Sequence, residues 1–135
     1  MLRVVDANFN RSKEALRVVE DIFRFVLEND KLRKEARALR HALDKITVSK
    51  IFKEAVLSRD SESDLGKKTD VLEFDRKTID DILYANLQRA KESVRVLEEF
   101  FKIISAPQVK LLKKIRYDIY SLEKSFTSLR KGKNV

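Results

Sequence analysis

The chain has 135 residues, a length that suits one domain with a core of its own. Two glycines and one proline argue against a turn-rich β fold, and the absence of cysteine excludes disulfides and thiolate metal sites. A single histidine excludes a multi-histidine metal site, and the net charge of +8 is compatible with anionic ligands, including nucleic acid.

The basic residues are spread along the whole sequence, apart from one group at residues 130–133. Such a diffuse mixture of lysine and glutamate is more typical of a solvated surface than of a polyanion site. No apolar run approaches the ~18 residues of a membrane span. Residues 1–6 are too short and too mixed for a signal peptide, so we expect a cytoplasmic protein.

The first half of the chain predicts a helical hairpin. Residues 2–6 alternate enough for a short strand or an extended lead-in, and Asp6 is a plausible N-cap for a helix over residues 7–28. Residues 29–30 predict a stop followed by a new cap, and apolar spacing predicts a second helix over residues 31–46. The short connection makes the two helices antiparallel neighbours.

The middle of the chain is less regular. Residues 47–49 predict a break, and residues 50–57 predict another helical stretch or a bent continuation of the second helix. Residues 58–70 are the least helical part of the chain, a polar loop of the kind that often carries function. Residues 71–74 predict a brief extended segment.

The second half predicts two further helices. Asp75 or Thr78 caps a helix that runs over residues 79–104. A fourth helix begins at Pro107, because proline is well tolerated in a first turn, and apolar residues follow at helical spacing over residues 109–129.

Residues 7–25 and 85–103 are two copies of one stretch, aligned without a gap. The repeat extends into the partner helices, since residues 39–43 correspond to residues 115–119. It includes polar positions that fall on the apolar face near the start of each helix: Asn8, Arg11, Asn86 and Arg89. Semi-buried amides and guanidinium groups need partners, which are each other, a ligand, or both.

We therefore predict an all-α protein that forms a single domain over residues 1–135. Its unit is a duplicated helical hairpin, residues 7–46 and 85–124, and the two copies pack about a pseudo-twofold axis into a four-helix bundle. An irregular loop is inserted between the halves, in the connecting segment 47–78. Such packing would bring the repeated polar residues and the loop together at one site.

Four arginines recur in the two copies: Arg11, Arg40, Arg89 and Arg116. A guanidinium fork binds phosphate or carboxylate through two parallel hydrogen bonds, so these residues are candidate anion ligands. The acids Glu20 and Glu98 also recur, and they allow another interpretation. In that interpretation Arg40 and Arg116 pair with these acids and tie one hairpin to the other.

The central loop contains Arg59, Asp60, Asp64, Gly66 and Lys67 in the order Arg-Asp-x-x-x-Asp-x-Gly-Lys. Two neighbouring carboxylates suit Mg²⁺, which takes one or two of them and leaves its other positions to water and phosphate. The glycine permits close backbone approach, and the lysine adds charge for a phosphate. Aspartate and glycine in a polar loop also act commonly as turn and capping residues.

A lone histidine and the absence of phosphate-binding glycine motifs bear on the chemistry of a site. His41 stands beside Arg40 and aligns with Tyr117, and a lone helical histidine is more often structural than a ligand or base. Neither a P-loop nor a Gly-x-Gly-x-x-Gly motif is present. A nucleotide site would therefore rely on arginines, lysines and helix N-termini.

Five motifs in order carry a family resemblance that covers residues 4–124. They are Ala-Asn-x-x-Arg-x-x-Glu-Ala-Leu-Arg-Val-Val-Glu-Asp, Leu-Arg-His, Arg-Asp-x-x-x-Asp-x-Gly, Ala-Asn-x-x-Arg-x-x-Glu-x-x-Arg-Val-Leu-Glu-Glu and Leu-Glu-Lys. The chain resembles the helical domain found ahead of thiamine-phosphate synthase in some bacteria, and sometimes as a separate protein. That family resembles an unrelated replacement for the usual hydroxymethylpyrimidine phosphate kinase.

The resemblance implies ATP-dependent phosphorylation of 4-amino-5-hydroxymethyl-2-methylpyrimidine phosphate to the pyrophosphate, with Mg²⁺. In that reading the phosphate groups contact Arg11, Arg59 and Arg89, and Mg²⁺ contacts Asp60 and Asp64. The remaining substrate-binding candidates are Asn8, Asn86, Arg40, Arg116, Gly66 and Lys67. Supporting roles fall to Glu20, Glu98 and His41, the two glutamates by orienting arginines.

Two other functions stay open on the sequence. A non-catalytic module would bind thiamine precursors or thiamine-phosphate synthase, without consuming ATP. A basic helical nucleic-acid-binding protein would show affinity that falls steeply with salt, although no basic recognition helix or aromatic cluster supports it. A site built from two similar halves could also be completed across a homodimer.

Overall fold

The computed structural model describes residues 1–47, 50–67 and 75–133. These residues form five α-helices and one π-helical segment, and they contain no strand, which confirms the predicted all-α class. The elements are α1 (Leu2–Asp21), the π segment (Ile22–Val26), α2 (Asp30–Thr47), α3 (Lys50–Leu57), α4 (Ile79–Ile104) and α5 (Pro107–Lys133). None of these helices is both long enough and apolar enough to cross a bilayer.

The four long helices form a closed ring of neighbours. Helix α1 packs against α2 and α4, and α5 also packs against α2 and α4. Each helix therefore buries its apolar stripe between two others, which is the arrangement of a four-helix bundle. The short helix α3 packs on α1 and α2. The pseudo-twofold axis and the domain limits stay predictions.

Aromatic contacts show how the bundle is oriented. At one end the Phe52 ring lies between Phe9 of α1 and Phe101 of α4, with centroid distances of 4.5 and 6.1 Å. At the other end Phe126 of α5 lies 5.9 Å from Phe23 and 5.5 Å from Tyr84 at the start of α4. Helices α1 and α4 therefore run antiparallel. We call the two ends the loop end and the π end.

Helix α1 begins earlier than the sequence predicts. Residues 2–6 are helical rather than a strand or extended lead-in, and Asp6 lies inside the helix instead of capping it. Val5 is fully buried, and Leu2 packs against the core. These two residues lie at the i, i+3 spacing of a helix, so the first turn extends the apolar stripe of α1. The free energy of burying that stripe outweighs the preference of Asp6 for an N-cap position.

The predicted helix over residues 7–28 ends differently as well. Helix α1 passes into the π segment, where the Leu27 amide donates to the Ile22 carbonyl at 2.9 Å. Glu28 then adopts a positive φ of 50°, and the Asn29 amide donates to the Phe23 carbonyl at 2.8 Å. Asn29 also caps α2, because its Oδ1 accepts the Leu32 amide at 3.0 Å.

The second half agrees closely with the prediction. Thr78 is the N-cap of α4 and forms a reciprocal capping box with Asp81. Helix α4 ends at Ile104, and α5 begins at Pro107. Residues 50–57 form a separate helix. The predicted break at 47–49 falls partly outside the described residues, and the predicted extended segment 71–74 falls wholly outside them.

Candidate functional site

The polar loop after α3 folds back onto the first turns of α1 through one ion pair. Arg59 donates from Nε and Nη2 to the two carboxylate oxygens of Asp6, each at 2.7 Å. Asp6 is buried. The hydrogen bonds to Asp6 raise the pKa of Arg59 above its usual value. This two-pronged contact fixes the loop, residues 58–67, against α1.

The loop carboxylates also make local turns. Asp60 Oδ1 accepts the Ser63 amide at 3.1 Å, and Asp64 Oδ1 accepts the Gly66 amide at 2.9 Å. The Ser63 amide is the main reason that the pKa of Asp60 lies below its usual value. Gly66 has a negative φ, and an added Cβ would meet only Asp64 Oδ1 at 3.5 Å, so this conformation does not require glycine.

Five of the predicted site residues line one cleft of about 870 Å³ at the loop end, which we call the loop cleft. They are Asn8, Arg11, Arg59, Asp60 and Asp64. Arg3, Asp6 and Glu14 add charge to the same walls. The cleft therefore combines guanidinium and carboxylate groups from two segments about 50 residues apart in the chain.

A second hollow of about 510 Å³ adjoins the loop cleft, and we call it the interhelix groove. Asn8 and Arg11 line both, and α4 contributes Arg89, Glu92 and Ser93 to the groove. Arg11 and Arg89, the repeated arginines, therefore face one hollow. Within residues 1–47, 50–67 and 75–133 neither guanidinium has an acidic partner.

The repeated polar residues are not equally buried. Asn8 is buried and Asn86 is half-buried, but Arg11 and Arg89 are exposed, so the expectation that the arginines lie on the apolar face is wrong. Each asparagine donates from Nδ2 to the carbonyl four residues earlier, at 2.9 and 2.8 Å. Asn8 Oδ1 also accepts a long hydrogen bond of 3.4 Å from Arg11. Asn86 lines neither hollow.

The other repeated charges form ion pairs inside each hairpin. Arg40 Nε donates to Glu20 Oε2 at 2.8 Å, and Arg116 Nη2 donates to Glu98 Oε1 at 3.2 Å. Both glutamates are buried. These pairs join the two helices of one hairpin, so the expected tie between hairpins is not observed. The glutamates contact Arg40 and Arg116 rather than Arg11 and Arg89, which differs from the orienting role expected for them.

Three more predicted residues, besides Asn86 and the residues of the two ion pairs, lie outside both hollows. His41 is exposed on α2. Gly66 and Lys67 belong to the loop but do not line the loop cleft, and Lys67 Nζ donates to Glu62 at 3.0 Å.

Sequence reasoning missed two kinds of lining residue. Asp6, which the sequence predicts as a cap, instead holds Arg59, and the second copy has Tyr84 at the corresponding position. Glu14 and Glu92 recur in register three residues after the repeated arginines, and they line the loop cleft and the interhelix groove respectively. The repeat in the sequence therefore identifies these two glutamates as clearly as it identifies the arginines.

The acidic side chains at the loop cleft limit the kind of metal ion that could bind there. Among the described residues no group of three or more His, Asp or Glu side chains is placed to hold a metal ion. Asp60 and Asp64 supply two exposed carboxylates in one cleft. This pair suits an ion such as Mg²⁺ that arrives with phosphate oxygens and keeps several waters.

The fold and these hollows together define an all-α bundle protein with a cleft of mixed charge at one end. Residues 3–125 match the ThiD2 family, and the chain belongs to that family.

Three similar proteins are cyanobacterial and are named thiamine-phosphate synthase. The Synechocystis protein is 38% identical over 122 residues, which is 90% of this chain and 34% of that protein. The Nostoc punctiforme protein is 37% identical, again over 90% of this chain and 34% of that protein. The Thermosynechococcus vestitus protein is 34% identical over 93% of this chain and 35% of its own length. The chain thus spans about a third of these relatives. No solved structure matches.

Proposed function

We propose that this protein acts in thiamine biosynthesis as a phosphotransferase. It transfers the γ-phosphoryl group of ATP to 4-amino-5-hydroxymethyl-2-methylpyrimidine phosphate. The supporting observation is the loop cleft, where Arg11, Arg59, Asp60 and Asp64 converge from α1 and the loop. The relatives named thiamine-phosphate synthase support the pathway, because such an enzyme would use the pyrophosphate product.

The proposed reaction needs little covalent chemistry from the protein. An oxygen of the pyrimidine phosphate attacks the γ-phosphorus of ATP, the bond from that phosphorus to the β–γ bridging oxygen breaks, and ADP leaves. The nucleophile is already an anion at neutral pH, so this step requires no general base. Catalysis then consists of positioning two anions and neutralising their charge.

The side chains divide these tasks between them. Arg11 and Arg89 have no acidic partner among the described residues and lie on one hollow, so they are available to two phosphate groups. Arg59 is held in place by Asp6, which acts as a positioning residue. Asp60 and Asp64 would hold Mg²⁺, which when bound would neutralise charge on the phosphates.

Asn8 takes a different role from the substrate contact that the family resemblance implies. Its Nδ2 donates to the Val4 carbonyl and its Oδ1 accepts from Arg11, so its amide is already engaged within α1. We assign Asn8 to the positioning of Arg11. Asn86 makes the matching backbone bond and lies outside both hollows, so we assign it no substrate contact.

The test is an assay coupled to ADP release, with the pyrimidine phosphate as acceptor. Arg11→Ala and Asp60→Ala should each lower turnover by about a hundredfold or more, because a lost transition-state contact has effects of that size. Arg76→Ala is the matched control, since Arg76 is exposed and, within the described part of the chain, its hydrogen bond is to the neighbouring Asp75 carbonyl. Turnover like that of the wild type in both cleft variants, with helicity intact, would refute the assignment.

A second function is favoured by the length of the relatives. They carry this domain in chains almost three times as long, under the name of the synthase. The domain could therefore bind the pyrimidine phosphate and present it to thiamine-phosphate synthase, without catalysis. Calorimetry would then show binding of the pyrimidine phosphate in the absence of ATP, together with no ADP release in the coupled assay.

A further inference from the structure

A second charged cleft, of about 620 Å³, lies at the π end, between the last turns of α1, the π segment and the start of α2. We call it the arginine cleft. Five arginines line it: Arg17, Arg24, Arg33, Arg37 and Arg40. None of the roles proposed above uses this cleft.

Three of the five arginines are anchored by acids. Arg40 pairs with Glu20 at 2.8 Å, Arg33 pairs with Asp30 at 2.7 Å, and Arg17 lies 3.5 Å from Asp21. Arg33 and Arg40 are thus hydrogen-bonded in place before any ligand arrives, whereas Arg17 forms an exposed ion pair. Such preorganisation lowers the entropy cost of binding an anion.

Arg24 and Arg37 are different. Both are exposed, and neither has an acidic partner in the described part of the chain. The Arg24 guanidinium lies 4.7 Å from the centroid of the Phe25 ring, a cation–π distance that restrains it. Two guanidinium groups therefore remain available for an external anion.

The local charge favours such a ligand. The five arginines face three lining acids, Glu20, Glu28 and Asp30, which leaves a formal charge of +2. Lys34 also contacts Asp30, at 3.0 Å. The N-terminus of α2, an 18-residue helix, adds the positive end of its dipole.

The backbone at this cleft is unusual. The π segment forms part of its wall, and Glu28, which lines it, is a non-glycine residue in the left-handed region at φ 50°. Both features recur at functional sites, where surrounding structure maintains a conformation that is locally unfavourable.

The arginine cleft is separate from the loop cleft. The two share no lining residue. On α1 the loop cleft is lined as far as Glu14 and the arginine cleft from Arg17 onward, so the two clefts take successive stretches of the helix. The arginine cleft also has walls from the π segment and α2, whereas the loop cleft has its other wall from the loop after α3.

We propose that the arginine cleft is a second binding site, and that it takes the diphosphate or triphosphate group of a nucleotide or of another phosphate ester. Two available guanidinium groups and three anchored ones suit an extended phosphate chain better than a single phosphate. This site goes beyond the proposed reaction and does not depend on it.

The test is calorimetric titration with inorganic tripolyphosphate, pyrophosphate and orthophosphate. The Arg11→Ala background is used so that binding at the loop cleft is weakened. Tripolyphosphate should bind most tightly and orthophosphate least tightly. Adding Arg24→Gln and Arg37→Gln should weaken tripolyphosphate binding by about tenfold or more for each arginine.

The second repeat provides a control with the same change of charge. Lys102 and Lys113 occupy the positions that correspond to Arg24 and Arg37, so Lys102→Gln with Lys113→Gln also removes two positive charges. This control should keep the tripolyphosphate affinity within about twofold of its value in the Arg11→Ala background. The two lysines lie outside the arginine cleft, so their removal changes only the long-range electrostatic potential at the cleft, which salt screens. Equal weakening in both double variants would overturn the proposal, as would orthophosphate binding as tightly as tripolyphosphate.

Two further readouts complete the design. ATP that binds as tightly as tripolyphosphate would show recognition of the phosphate chain alone, and tighter binding of ATP would point to a nucleotide. In the coupled assay, Arg24→Gln with Arg37→Gln and wild-type Arg11 should retain basal turnover. A loss as severe as in Arg11→Ala would place the reaction in the arginine cleft and overturn the second site. Unchanged turnover in Arg11→Ala would instead refute only the proposed function.

Discussion

Glu98 and Arg116 are removed from water and pair with each other inside the second hairpin. Their side chains are 3% and 12% exposed. The hydrogen bond to Glu98 raises the pKa of Arg116 above its usual value, so the guanidinium group stays charged. Arg116 also lies 5.1 Å from the centroid of the Tyr117 ring. Burial of this kind makes each partner depend on the other.

Glu98→Ala should therefore destabilise the protein by about 3–5 kcal/mol, because it leaves Arg116 buried without a counter-charge. The measurement is urea denaturation followed by circular dichroism. Glu99→Ala is the control: Glu99 pairs with Arg95 and Lys102 on the exposed face, where such a loss costs about 0–1 kcal/mol. Equal midpoints for the two variants would contradict the assigned role of Glu98.

Recurrence in the sequence identified the charged residues but not their partners. Glu20, Arg40, Glu98 and Arg116 recur because each hairpin needs the same internal ion pair. Arg11 recurs without such a pair and lies on the cleft. Paired and unpaired arginines both recur, and they differ only in whether the side chain points at the partner helix or at the cleft. That orientation depends on how the helices pack, which the spacing of residues along the sequence does not determine.

At the scale of secondary-structure elements, a helix boundary could be predicted where interactions between neighbouring residues in the sequence determine it. Helix α4 has a capping box at Thr78, and α5 has proline in its first turn, so their starts follow from short-range hydrogen bonding and dihedral preference. The start of α1 was predicted wrongly because burial of Val5 and the contact between Asp6 and Arg59 are tertiary effects. The π segment carries no sequence signal that we recognise.

Glu28 offers a test at this scale. Glu28→Gly should stabilise the protein by about 1 kcal/mol, because glycine adopts the left-handed conformation without the steric cost of a Cβ. The measurement is the shift of the urea midpoint. Glu28→Ala removes the same carboxylate but keeps the Cβ, so it should give no such gain. A similar gain from alanine would show that charge, and not backbone conformation, limits stability here.

Considered as a whole, the molecule holds α3, the helix that leads into the polar loop, against its core through buried side chains that include one aromatic ring. Phe52 on α3 lies between Phe9 and Phe101 and is 4% exposed, and the polar loop follows α3 directly. The position of Arg59 and Asp60 therefore depends on how firmly α3 is held against the bundle.

Phe52→Ala should cost about 3–5 kcal/mol of stability and, in addition, lower turnover about tenfold or more by loosening the loop. Phe126→Ala is the control, because Phe126 is fully buried at the π end, away from the loop. It should cost a similar amount of stability and leave turnover of the folded protein nearly unchanged. The readouts are urea denaturation and the coupled assay at a temperature where both variants are folded; an equal loss of turnover would argue against this coupling.

The closed ring of helices has a consequence for biosynthesis on the ribosome. Helix α1 is made before α4, one of its two principal neighbours, which begins more than 70 residues after α1 begins. During that delay of several seconds at cellular elongation rates, the nascent first hairpin has an uncovered apolar stripe. Burial of that stripe is complete only when α4 and α5 have emerged and packed against the first hairpin.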